Sequence, residues 1–298
     1  MFEVIIPATT ANLGPGFDCL GLALNLYNRV QVRPTSRLQI RVLGEGANDL
    51  PKNADNLLWR SACHLWEQIG SESQPVEIIM QNDIPLSRGL GSSSAAIVGG
   101  LLMANQLANQ PFNRDELVSM ATELEGHPDN VAPALLGGMV VSAENRSQVL
   151  TLPFPFPQEL QLVVCIPDFH LATHLARQAL PTVVSHRDAV FNLSHVALLL
   201  ASLVGRRFDL LGLAADDRLH QPYRLGLIPG AESVMHRARK AGALAAMISG
   251  AGPTILAMVP KETSAEQVGQ SMVAGFLEEG IPARHLVLHV DSIGARIV

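Results

Sequence analysis

Pro85-Leu86-Ser87-Arg88-Gly89-Leu90-Gly91-Ser92-Ser93-Ser94-Ala95-Ala96 is the stretch whose reading decides the fold. The apolar run Val76–Met80 before it predicts a strand, and the small residues after it predict a helix over Ser92–Leu107. Glycines allow a tight turn and close backbone approach to a ligand. Serines then open the helix, where unpaired N–H groups and the dipole favour an anion such as a polyphosphate. Their hydroxyls are hard oxygen donors suited to Mg²⁺. The segment is neither GxxxxGK[ST] nor GxGxxG, and it holds no lysine. Phosphate charge would therefore fall to backbone dipoles, Mg²⁺ and the local arginine, Arg88. The competing reading is a plain Gly/Ser turn.

Two further glycine loops stand at a distance. Pro7-Ala8-Thr9-Thr10-Ala11-Asn12-Leu13-Gly14-Pro15-Gly16-Phe17-Asp18 follows a strand expected at Phe2–Ile6, and offers Asn12 as donor and acceptor and Asp18 as an anion. Ile248-Ser249-Gly250-Ala251-Gly252-Pro253-Thr254 joins two expected strands, Ala243–Ile248 and Thr254–Val259.

Taken in order, the three loops resemble the three motifs of the GHMP kinases. That family is two-domain α+β: an N-terminal ribosomal protein S5 domain 2-like α/β domain and a C-terminal ferredoxin-like α/β domain. The resemblance runs from Pro7 to Thr254. Within it, Glu123-Leu124-Glu125-Gly126-His127-Pro128-Asp129-Asn130 resembles the homoserine kinase branch, as do Thr173-His174-Leu175-Ala176-Arg177 and His220-Gln221-Pro222-Tyr223-Arg224.

The resemblance implies transfer of the ATP γ-phosphate to the hydroxyl of L-homoserine, a step of threonine biosynthesis, in a cytoplasmic homodimer. It implies ATP at Pro85, Leu86, Ser87, Arg88, Gly89, Leu90, Gly91, Ser92, Ser93, Ser94 and Ala95, with Asn56 near the adenine. It implies Mg²⁺ on Ser93 and Glu123, with Ser94 and Glu125 as the other candidates. Homoserine would meet Asn12, Asp18, His127, Asn130, Thr173, Arg177, Arg224 and Gly250. Asp18, Asn130 and Arg177 would stand at the reaction, with Asp129 orienting them from behind. Arg177 and Arg224 suit a carboxylate, because a guanidinium offers two parallel donors. Rival readings are a kinase of another small alcohol and a catalytically silent sensor of ATP and metabolite.

Composition is compatible with this. The chain has 298 residues, 48% hydrophobic, enough for one large domain or two ordinary ones. Net charge is −6 without a dense basic run, which argues against nucleic-acid binding. Cys19, Cys63 and Cys165 lack CxxC spacing, so neither a disulfide framework nor a structural zinc site is expected. The start has no basic leader and reads as a strand, and no continuous apolar run reaches membrane-span length.

The coarse pass predicts further strands at Gly21–Arg33, Leu38–Leu43, Leu160–Ile166 and His285–Val290. A hairpin is expected at Gly138–Ala143 and Gln148–Leu152. Helices are expected at Asp55–Ile69 with Asp55 as N-cap, Asn113–Glu125 capped by Asn113 with Glu116, Ala172–Ala215 in pieces, Ala231–Ala241 and Ser264–Glu279. The alternating prolines of Leu152-Pro153-Phe154-Pro155-Phe156-Pro157 set an expected boundary, dividing the chain into 1–155 and 156–298.

Overall fold

The computed structural model describes residues 1–145 and 148–298. Two sheets organise it. The first is built from β1 (Phe2–Ala11), β2 (Leu20–Pro34), β3 (Gln39–Gly44), β4 (Val76–Asn82), β5 (Met139–Asn145) and β6 (Gln148–Phe154). The long β2 pairs with β4 through Asn28–Pro34 and with β5 through Leu20–Leu22. Helices α1 (Leu57–Gln68), α2 (Ser92–Leu107), α3 (Arg114–Glu125) and α4 (Pro128–Leu136) accompany it. α2 packs against β1, α1, α3 and α4. A helix so enclosed needs no polar face, and its sequence carries no polar side chain from Ala95 to Ala104.

The second sheet contains β7 (Leu160–Pro167), β8 (Ala245–Ile248), β9 (Ile255–Pro260) and β10 (Ala283–Leu288). Between β7 and β8 lie α5 (Thr173–Gln178), α6 (His186–Val204), α7 (Leu211–Ala214), α8 (Gln221–Arg224) and α9 (Ala231–Lys240). α10 (Ala265–Leu277) connects β9 to β10. The spatial order β10-β7-β9-β8, all antiparallel, is the ferredoxin-like arrangement with helices inserted in its first crossover.

The two faces of this sheet serve two cores. Val163, Cys165, Ile255, Ala257 and Val259 pack with α9 and α10. Their alternates Leu162, Val164, Leu256 and Met258 join the large core shared with the first sheet and α2. Burial on both faces explains why these strands read as continuous apolar runs.

Element ends show where local chemistry was misjudged. α1 is capped by Asn56, whose side-chain oxygen accepts from Leu58 N, so the expected Asp55 cap is displaced by one residue. Asn113 and Glu116 do form a reciprocal capping box on α3. Asn113→Ala should lower the unfolding free energy by about 1 kcal/mol, read as a lower urea midpoint at unchanged slope. α4 was not expected: Pro128 sits in its first turn and Pro133 within it. Nor was β11 (Arg296–Ile297), which brings the chain end back to pair with β1.

α6 is 19 residues long with mean hydropathy 1.3, apolar enough by length and composition to cross a membrane. In the fold, Asn192, Leu199, Ser202 and Leu203 of this helix are buried. Leu199 and Leu203 join the large core, and Asn192 donates to Asp217 and to the Pro15 carbonyl. The three cysteines are free thiols.

Candidate active site

One cleft gathers the three glycine loops, the start of α4, and residues of α5 and α8. Its floor is a set of bonds between the loops. Gly250 N donates to Ala11 O, and Asn12 Nδ2 to Gly250 O at 2.8 Å. Thr9 N donates to Leu90 O and Thr254 N to Arg88 O. Ser249 Oγ donates to Gly89 O at 2.6 Å and lies 2.9 Å from Thr10 Oγ1. The three motifs are thus one hydrogen-bonded unit, though they lie far apart in sequence.

At the middle of the cleft α2 begins. Its N-cap is Gly91, at φ 72°, and no side chain caps the first amides. Such a helix end presents unsatisfied N–H donors and a positive dipole end. Ser93 Oγ and Ser94 Oγ both donate to Oε1 of Glu125, at 2.7 and 2.9 Å. Glu123 does not reach the loop. It is exposed on a separate surface groove with Gln68, Asn113 and Asp115, so the expected pairing of Ser93 with Glu123 does not form, and the glutamate that meets the loop serines is Glu125. The reason is helical spacing: residues two apart on α3 point roughly 200° apart. Among the loop residues, Pro85, Leu90 and Ala95 are buried and do not line the cleft. Arg88 lines it, but its Nη2 donates to Asp168 at 3.0 Å.

At one end the lining includes Leu50, Leu57, Met80, Leu86 and the amides of Asn28, Asn56 and Asn82. Asn56 lines the cleft as expected, but its amide is engaged: the oxygen caps α1 and the nitrogen donates to Pro51 O. Asn28 and Asn82 were missed by the sequence reading. They are directly opposed in the β2–β4 ladder, and Met80 lies two residues from Asn82 on the same face. No motif marks them; only strand register could have paired them.

At the other end lie Asn12, Asp18, His127, Asp129, Asn130, Thr173, Arg177, Arg224 and Gly250. Every side chain assigned to substrate by resemblance is there. Both arginines are already engaged, however. Arg177 donates to Asp18 through both Nη1 and Nη2, at 3.0 and 2.8 Å, so the pair is closed on itself. Arg224, 2% exposed, donates Nε to Ala176 O, and Nη1 to Gly250 O and toward His220 Nδ1. Its fork is partly spent on the scaffold, which corrects the expectation of two parallel donors to a ligand.

Electrostatics sharpen the picture. Burial, and then the neighbouring Arg177, pull the Arg224 pKa down to about 10. Burial disfavours the charged form of His127, but the hydrogen bond and charge of Asp129 at 2.5 Å outweigh it and raise its pKa. Asp129 Oδ1 also accepts from Asn130 Nδ2 at 3.3 Å, while Thr9 Oγ1 donates to Asn130 Oδ1 at 2.8 Å. Asp129, 2% exposed, therefore holds both neighbours in place. The Phe17 ring lies 5.6 Å from the Arg177 guanidinium carbon and 5.2 Å from that of Arg224.

The arrangement is a cleft with an anion-accepting helix start at its centre and a balanced set of both charges at one end. Comparison with known proteins agrees. Residues 56–138 match the family model for the GHMP kinases N terminal domain, and residues 198–277 that for GHMP kinases C terminal. Homoserine kinase of Desulfitobacterium hafniense is 44% identical over 298 residues, covering 100% of both chains. That of Moorella thermoacetica is 46% identical over 295 residues, covering 99% of each. The crystal structure of homoserine kinase from Cytophaga hutchinsonii superposes with a TM-score of 0.90 at 33% identity, over 100% of this chain and 97% of the other. A mevalonate kinase from L. major shares the fold alone, with a TM-score of 0.70 at 15% identity over 95% and 94% of the two chains. The chain belongs to the GHMP kinases and, within them, to the homoserine kinase family.

Proposed function

We propose that this chain transfers the γ-phosphate of ATP to the side-chain hydroxyl of L-homoserine. The observation that carries the reading is a single cleft that joins the uncapped start of α2 to the Asp18, Arg177 and Arg224 charge set. An uncharged sugar would need no such pair of opposite charges, and a silent sensor would need no acidic group against the loop serines.

Phosphoryl transfer asks a protein mainly for positioning and charge stabilisation. The amides at the start of α2 and the loop before it receive the phosphates. Leu50, Leu57 and Met80 form an apolar slot for the base. The donor set of Ser93 or Ser94 with Glu125 is all hard oxygen and suits Mg²⁺. When bound there, Mg²⁺ offsets charge on the phosphate oxygens. Entry of a zwitterion exchanges the Asp18–Arg177 pair for two new ones, ammonium to Asp18 and carboxylate to Arg177, with the outward part of Arg224 assisting. Asn12, His127, Asn130 and Thr173 line the remaining walls. Asp18 paired with an ammonium is a poor base, so the hydroxyl proton passes to a phosphate oxygen. We further assign the enzyme to the cytoplasm, as a homodimer with its units divided near residue 155.

The test is a coupled ADP-release assay with L-homoserine and with analogues lacking the amine or the carboxylate. Turnover with homoserine and little with either analogue is expected; equal rates with an uncharged alcohol would overturn the reading. In the same assay Asp18→Asn should raise the KM for homoserine about tenfold or more with a modest change in kcat. Collapse of kcat at unchanged KM would instead make Asp18 the general base.

A further inference from the structure

A histidine outside the cleft lining joins the two charged parts of the acceptor end. His220 is 0% exposed. Its Nε2 lies 2.7 Å from the carbonyl of Gly14, in the loop that carries Asn12 and Asp18. A carbonyl can only accept, so Nε2 carries the proton. In the neutral ring Nδ1 is then a lone pair, and it lies 3.3 Å from Nη1 of Arg224, which can only donate. The two contacts demand the same tautomer. The ring also stacks on Phe17 at 5.3 Å, the ring that lies against both arginines.

The backbone around His220 is pinned from beneath. Buried Asp217 accepts from the amides of Leu219, His220 and Gln221 at 3.0, 2.9 and 2.6 Å, and from Asn192 Nδ2 at 2.7 Å. A carboxylate so satisfied serves as a fixed post for this backbone.

We propose that His220 is a positioning residue for the acceptor site, its Nδ1 lone pair setting Arg224 while its Nε2–H sets the loop of Asn12 and Asp18. The inference rests on the kinase reading above for what Arg224 does, but not for the state of the ring. Charged and titratable groups face His220 from each side: Asp217 at 3.5 Å, Arg224 on the next turn, and Asp18 from the N-terminal loop. Burial outweighs both aspartates and lowers the pKa of His220. Protonation would place an N–H against the Arg224 guanidinium, so the contact belongs to the neutral ring and is lost in acid.

Two variants separate the contacts. His220→Asn keeps an acceptor where Nδ1 stands and loses the bond to Gly14. His220→Gln keeps a donor where Nε2 stands and loses the acceptor for Arg224. With thermal melting confirming both fold, both variants should raise the KM for homoserine with kcat within about threefold: His220→Gln about tenfold through the loosened Arg224, and His220→Asn about fivefold through the loosened loop of Asn12 and Asp18. Because its pKa is lowered, the wild type should lose kcat/KM through this ring only in acid below the ordinary histidine range, and His220→Asn should lack that part of the acid limb. Equal KM values for both variants and wild type would reduce His220 to a packing residue. Heteronuclear NMR of the wild-type imidazole nitrogens gives a second test that needs no turnover. Near neutral pH it should show the Nε2–H neutral ring, and a proton on Nδ1 would overturn the proposal even if homoserine proved not to be the substrate.

Discussion

Glu125→Gln is expected to lower kcat by about a hundredfold or more and to raise the Mg²⁺ concentration needed for half-maximal rate, while Glu123→Gln stays within about twofold of wild type. The amide keeps the shape of the side chain and can still accept from Ser93 and Ser94, which now bond to Oε1. What it loses is the negative charge beside the loop. Removing one preorganised electrostatic partner from a transfer site typically costs about 2.7–4 kcal/mol in the barrier. The paired variant gives the comparison its force. Glu123 lies two residues away on the same helix, equally acidic, but opens onto a different groove. Steady-state kinetics over a Mg²⁺ titration reads both. Equal losses in the two variants, or a full-rate Glu125→Gln, would remove Glu125 from the metal site.

Gly89→Ala should lose both stability and nucleotide affinity. Gly89 sits at φ +75°, and a Cβ built there lies 2.2 Å from the Ser249 carbonyl oxygen and 2.9 Å from that of Gly252. Both obstacles are backbone, held by the loop-to-loop bonds that form the cleft floor. Left-handed conformation alone costs a non-glycine residue about 1–2 kcal/mol, and displacement of a packed backbone brings the total to about 3 kcal/mol or more. Gly70→Ala is the matched control. Gly70 is also left-handed, at φ +65°, but a Cβ there meets nothing within 4 Å. It should cost only about 1 kcal/mol. Denaturant melts of the two variants isolate the clash, and an ATP titration shows whether the displaced loop weakens the nucleotide site. Losses no larger than those of Gly70→Ala would mean that the loops part freely.

Much of this protein was legible before any coordinates. Continuous apolar runs marked the strands of the second sheet, and their order with the helices implied its ferredoxin-like path. α2 spans the expected Ser92–Leu107, bracketed by Gly91 and Asn109 with positive φ. Asn113 with Glu116 announced the start of α3. The three glycine loops were recognisable because each must supply backbone conformations that few residues allow. The errors were of a different kind. Asp55 and Asn56 are adjacent and both are good caps, and nothing local separates them. The returning β11 is too short to carry a period. α4 was hidden by its two prolines, which read as breakers although the first occupies the one turn where proline costs nothing.

Site assignments divide in the same way. Residue types and their order along the chain, read through the family resemblance, led to the expectation of an anion loop, a metal-suited carboxylate near it, and two arginines with an aspartate for a charged acceptor. Which glutamate turns toward the loop, that Asp18 and Arg177 close on each other, that Arg224 spends its Nε and Nη1 donors on the scaffold, and that His220 ties Arg224 to the Gly14 loop were decided only by tertiary structure. The physical reason is range. Backbone conformation and helix starts depend on neighbours within a few residues, whereas a hydrogen bond between residues 159 or 206 positions apart exists only once two sheets have packed and water has been driven from between them.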